Sequence, residues 1–126
     1  MAAITTGTKN VAVGSGSLRD ISDGIRNTSV GTFSAHNVTS GLDNVAVGAN
    51  SGFTLTTGDY NTAIGAYALY TEDIGRGTVA VGNAALYSQD SDSSDEITRN
   101  VGIGQESGHY NVTGQYNTYV GYRAGY

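Results

Sequence analysis

Asn61-Thr62-Ala63-Ile64-Gly65 recurs, with small changes, along nearly the whole chain. The other copies are Asn10-Val11-Ala12-Val13-Gly14, Asn27-Thr28-Ser29-Val30-Gly31, Asn44-Val45-Ala46-Val47-Gly48, Thr78-Val79-Ala80-Val81-Gly82, Asn100-Val101-Gly102-Ile103-Gly104 and Asn117-Thr118-Tyr119-Val120-Gly121. Their closing glycines stand at 14, 31, 48, 65, 82, 104 and 121, so the spacing is 17 residues at every step except one of 22. A short period held through an entire chain marks a solenoid, in which each unit buries its apolar side against the next. The expectation is one all-β domain, residues 1–126: a parallel β-roll or β-solenoid of about seven coils, with five extra residues within 88–99.

Composition supports repetition as the source of order. Only 38% of the residues are hydrophobic, with two Phe, one Met and no Trp, too little for a conventional globular core. Proline is absent, as suits a backbone that pairs with the coils above and below it. The net charge is −5, and Lys9, Arg19, Arg26, Arg76, Arg99 and Arg123 are spread singly, so no basic stripe is present for nucleic acid. The absence of cysteine removes disulfides and thiolate metal sites. No apolar run approaches the roughly 20 residues of a membrane span, and Met1 to Gly7 has neither a basic nor an apolar leader region. The expectation is a chain with no membrane contact and no secretion address in its own N-terminus.

Within each pentad, side chains two apart share a strand face. The second and fourth positions make a β-branched face; Asn, a small residue and Gly make the other. The fourth positions, Val13, Val30, Val47, Ile64, Val81, Ile103 and Val120, stack as one apolar ladder. Three residues before the pentad stands Gly7, Gly24, Gly41, Gly58, Gly75 or Gly114, with Ile97 in the inserted unit. Glycine at fixed phase implies a corner needing positive φ or close approach of a neighbouring chain, and the closing Gly implies a second corner. Three residues past the closing Gly the side chain is always small (Ser17, Ser34, Ser51, Ala68, Ala85, Ser107, Ala124), and two further on runs a column of Arg19, His36, Phe53, Tyr70, Tyr87, His109 and Tyr126, whose rings are expected to stack. A 17-residue unit would extend to roughly 56 Å; folded into coils it gives a body about 34 Å tall. A roll this thin has a core about one side chain wide, so the small residues on its other faces suggest close packing against a neighbouring copy.

The insertion, Ser88-Gln89-Asp90-Ser91-Asp92-Ser93-Ser94-Asp95-Glu96-Ile97-Thr98-Arg99, departs from the repeat. Insertions in solenoids leave the stack on one face, often the binding face. Asp90, Asp92, Asp95 and Glu96 are therefore candidate partner-binding residues, and their clustered carboxylates would also suit Ca²⁺. The segment lacks the central Gly and terminal Glu of an EF-hand loop, so a solvated or partner-facing role is the main expectation. His36 and His109 share the ring column and have no partner at ligand spacing. No nucleophile elbow, zinc-binding His-Glu-x-x-His or phosphate loop with its Lys is present, so no cofactor and no enzymatic activity are expected. Paired carboxylates contributed by different subunits would be needed for a glycan hydrolase. Sequons at Asn27, Asn37 and Asn111 are what an Asn-rich repeat produces by chance.

The segment Tyr60 to Leu69, and again Tyr116 to Gly125, resembles the Tyr-Asn-Thr-Ala-Ile-Gly-Tyr-Ala-Leu repeats of phage tail-fibre and virion proteins. It is also similar to the left-handed parallel β-roll heads of trimeric autotransporter adhesins, whose period is shorter, roughly 14 or 15 residues. The resemblance implies a homotrimer of parallel rolls. Two functions then fit: a virion structural protein, as capsid decoration (cement) against the major capsid protein or as a tail-fibre segment; or an adhesin head on a bacterial surface binding a receptor or host surface glycan. In the second, Tyr67, Tyr70, Tyr87 and Tyr122 would offer stacking surfaces for sugars.

Overall fold

The computed structural model describes residues 6–91 and 97–126. Its seven strands are β1 (Val11–Val13), β2 (Thr28–Val30), β3 (Val45–Val47), β4 (Thr62–Ile64), β5 (Val79–Val81), β6 (Val101–Ile103) and β7 (Thr118–Val120). They form one parallel sheet in chain order, so each connection is one turn of a β-solenoid. Register is set by the period: Ala46 lies beside Ala63, Ala63 beside Ala80, and Ala80 beside Gly102 across the longer step. Among the described residues no helix is long and apolar enough to cross a membrane.

Coil-to-coil pairing extends around the circumference. Thr28 N–H donates forward to Asn44 O at 2.8 Å, Gly31 N–H backward to Val13 O at 2.7 Å, and Ala35 N–H forward again to Ser51 O at 2.8 Å. Alternating donation bends the backbone into positions that side chains rarely favour. The residue before the pentad, and the second and fourth residues after it, all have positive φ, as at Arg26 (59°), Phe33 (53°) and Ala35 (44°). Each non-glycine in that region costs roughly 1–2 kcal/mol, offset by backbone groups that pair wherever they point.

The two glycine columns have different causes. The closing Gly sits at φ from 122° to 139°, a conformation that other residues reach only with strain. The earlier column is not one of positive φ: a Cβ on Gly41 would stand 2.6 Å from Gly58 O, and one on Gly58 2.7 Å from Gly75 O. Close approach of the next coil excludes any side chain there.

The interior is narrow and is filled from both walls. The strands contribute Ala46, Ala63 and Ala80; the opposite wall contributes Leu18, Leu69 and Leu86, with Ile21, Val38 and Leu55 beside them. The small-residue columns therefore face into the coil, correcting the expectation that they pack against a neighbouring copy. In the first three coils they are serines that pair, Ser17 Oγ with Ser29 Oγ at 2.8 Å and Ser34 Oγ with Ser51 Oγ at 3.0 Å. The pentad-opening Asn27, Asn44, Asn61 and Asn100 are buried, and each carboxamide works twice. Asn44 Nδ2 donates to Gly58 O at 2.7 Å while its Oδ1 accepts from Asn61 N–H at 2.9 Å, and the next coil repeats the pattern.

Candidate interaction surface

The strand ladder points outward. Val13, Val30, Ile64, Ile103 and Val120 are exposed, from 37% at Val30 to 66% at Val120, while Val47 and Val81 are partly covered. Beside them run the second-position residues Val11, Thr28, Val45, Thr62, Val79, Val101 and Thr118, of which Val11 is 49% exposed. No charged residue interrupts either column. The result is a flat β-branched face about 10 Å wide and about 29 Å tall, from the strand rise and strand spacing. An exposed uncharged face of this kind is a candidate association surface.

Two rims border this face. The residue before each pentad gives Lys9, Arg26, Asp43, Tyr60, Gly77, Arg99 and Tyr116; the second residue after it gives Gly16, Phe33, Asn50, Tyr67, Ala84, Glu106 and Arg123. On the first rim Arg26 Nε donates to Asp43 Oδ1 at 2.6 Å, and on the second Arg123 Nε donates to Glu106 Oε2 at 2.6 Å. Each guanidinium holds its carboxyl below the ordinary carboxylate range. Such exposed pairs contribute little to stability but define the electrostatic pattern of the rims.

The ring column stacks as its spacing predicts. His36 and Phe53 lie 5.1 Å apart at 8°, Phe53 and Tyr70 5.3 Å at 19°, Tyr70 and Tyr87 5.1 Å at 10°, and Tyr87 and His109 5.1 Å at 11°. The last of these spans the 22-residue coil, so the insertion leaves the stack undisturbed. Stacking also covers ring faces: those of Tyr70 and Tyr87 are turned toward neighbouring rings and present mainly edges to solvent. Tyr67 and Tyr122 are the more open tyrosines of the four proposed for sugars, at 42% and 66% exposure.

Register holds into the inserted coil as far as Asp90, whose N–H donates to Val112 O at 3.0 Å, and is regained by Arg99, whose N–H donates to Arg76 O at 3.3 Å. Asp90 is exposed. Asp92, Asp95 and Glu96 lie outside the described residues. Among those described, no three His, Asp or Glu side chains are grouped to hold a metal ion.

Beneath this departure lies a residue the repeat did not single out. Glu72 occupies the column of Ile21, Val38 and Leu55 and is fully buried. In earlier coils three successive N–H groups, such as those of Thr39, Ser40 and Gly41, converge on one carbonyl of the next coil, Thr56 O. Here Gly75 N–H turns instead to Glu72 Oε1 at 2.7 Å. The Ser91 hydroxyl faces the carboxyl without closing a well-formed bond, and Glu72 Oε2 has no hydrogen-bond partner. Burial pushes the Glu72 carboxyl above the ordinary glutamate range; Ser91 and the Gly75 N–H oppose the shift, and Asp73 and Asp90 add to it. The signal was present in the sequence as an acid following three apolar residues in its column, a single coil before the insertion.

These features define a parallel β-solenoid repeat protein with one uncharged outward strand face and two patterned rims. No protein family, curated protein or solved structure matches the chain.

Proposed function

We propose that this chain is a non-enzymatic structural protein of a virion, a homotrimer of parallel β-rolls that decorates a capsid or forms a tail-fibre segment. The observation that carries the assembly is the outward β-branched face: fourteen residues in two columns, seven strands of two outward positions each, without a charge. A single roll leaves this face in water, and apolar area removed from water is worth about 25 cal/mol per Å². The virion assignment rests on the resemblance of Tyr60 to Leu69 to phage repeats.

Ile64→Asp tests the assembly. Ile64 is 40% exposed, so a charge there is tolerated by a lone roll and not by a closed apolar face. We expect the wild type to scatter light as a trimer across micromolar dilution, and I64D to dissociate while keeping its β-sheet circular dichroism. A folded wild-type monomer throughout would refute the assembly. Co-purification with capsid shells, against binding to host glycans, separates the virion role from the adhesin role, for which Tyr67 and Tyr122 supply the more open rings.

A further inference from the structure

The two rims differ in composition from coil to coil, yet they match one another level by level. In the second coil Arg26 corresponds to Phe33, in the third Asp43 to Asn50, in the fourth Tyr60 to Tyr67, and in the fifth Gly77 to Ala84. In the sixth Arg99 corresponds to Glu106, and in the seventh Tyr116 to Arg123. These are, in order, a cation with a ring, a hydrogen-bonding pair, two rings, two small residues, an ion pair and a ring with a cation. The first level, Lys9 with Gly16, is neutral to the comparison.

The members of each pair cannot meet within one chain. The three-residue strand, about 10 Å long, and the residues flanking it stand between them. Their own intrachain contacts run along the rims, as between Arg26 and Asp43 and between Glu106 and Arg123, or reach the ring column, as from Phe33 to His36 and from Tyr67 to Tyr70 and Tyr87. Arg99 has no ion pair among the described residues.

We infer that parallel copies of this chain join rim to rim in the same-coil register, the residue before each pentad of one protomer meeting the second residue after the same pentad of its neighbour. The inference rests on the proposed homo-oligomer and adds its contact and register. Sliding one rim by a coil weakens the match, although compatible pairs survive: Lys9 with Phe33 and Arg26 with Asn50 in one direction, Tyr116 with Glu106 in the other. In one direction Arg99 meets Arg123 and Gly77 meets Glu106; in the other Asp43 meets Phe33, Gly77 meets Tyr67 and Arg99 meets Ala84. Like charges brought together, or a charge against a ring face of its own sign, cost affinity, so the pattern selects one register. Unequal rims make the contact heterologous, and three such contacts close a ring. Area requires the rims as well. The strand face alone offers about 300 Å², whereas a stable interface buries about 800 Å² per partner.

The chain has no cysteine, which permits a direct test. The double variant Y60C/Y67C, treated with a short bis-maleimide, is expected to give a covalent series on a denaturing gel that ends at trimer. Each single variant should give none of that series. R99C/E106C is a second pair, independent of the first should either fail to fold. Linking of the shifted pair Y60C/N50C or Y60C/A84C in preference to Y60C/Y67C would overturn the register. A trimer by light scattering that links through none of these pairs would overturn the rim contact and leave the oligomer standing. A folded monomer by light scattering would overturn both.

Discussion

Asn61→Ala examines the interior ladder on which the coils depend. Asn61 is fully buried; its Nδ2 donates to Gly75 O at 2.8 Å and its Oδ1 accepts from Thr78 N–H at 2.9 Å. Truncation removes both partners at once and leaves a carbonyl and an N–H inside the coil. At roughly 1–3 kcal/mol for each buried orphan group, the expected loss is about 2–6 kcal/mol. That is a large part of the stability of a small domain. Thr62→Ala, one residue along and facing outward, should change stability by no more than about 0.5 kcal/mol. Urea unfolding followed by far-UV circular dichroism, at one fixed protein concentration, measures both. Asn61→Asp adds a sign test. The carboxylate still accepts from Thr78 N–H but faces Gly75 O with no proton to give, so N61D should be weakest at neutral pH and recover as the pH falls and the acid becomes a donor. A loss below about 1 kcal/mol for N61A, or an N61D variant indifferent to pH, would refute the ladder as a source of stability. Thr78, which takes the Asn position in the fifth pentad, makes a different contact: its Oγ1 pairs with Thr98 Oγ1 at 2.5 Å, and Thr98 Oγ1 donates to Arg76 O at 3.1 Å.

Two further outcomes are expected. Glu72 has a raised pKa in the folded chain, so its contribution to stability is fully present below the ordinary glutamate pKa and is lost as pH rises through the folded value; Glu72→Gln should raise the urea midpoint at pH 7 and flatten this dependence, and an unchanged slope would contradict the assignment. Ala84 stands at φ 53° in a column where the first coil has Gly16, so Ala84→Gly should stabilise by about 0.5–1 kcal/mol, read as a melting shift, and a loss would mean that the strain is not stored there.

The pentads made the period, parallel register and ring column legible, because they vary little. The interior was harder to read, for a physical reason. Its large residues vary within a column and compensate across columns: Gly52 leaves room for Leu55, with a Cβ there only 2.8 Å from Leu55 Cδ1, and Gly102 and Gly108 leave room around Leu86 and Tyr119. Residue size varies within each column, so no single column announced itself as core. Val and Ala on opposite strand faces were equally ambiguous. The wall carrying Leu69 and Leu86 already fills the narrow space, which leaves Ala63 inside and Ile64 outside. Glu72 and the paired rims were missed because each is an exception to the repeat.

Because the bonds between coils run along the axis of the roll, a pull along that axis would load them one coil at a time, as a zipper is loaded at its open end. Each coil that gives way would release 17 residues, roughly 56 Å of slack at full extension, and the inserted coil would release 22, roughly 73 Å. The chain would thus yield in even steps with one long one, a built-in extensometer in which the acidic insertion marks how far the unravelling has travelled.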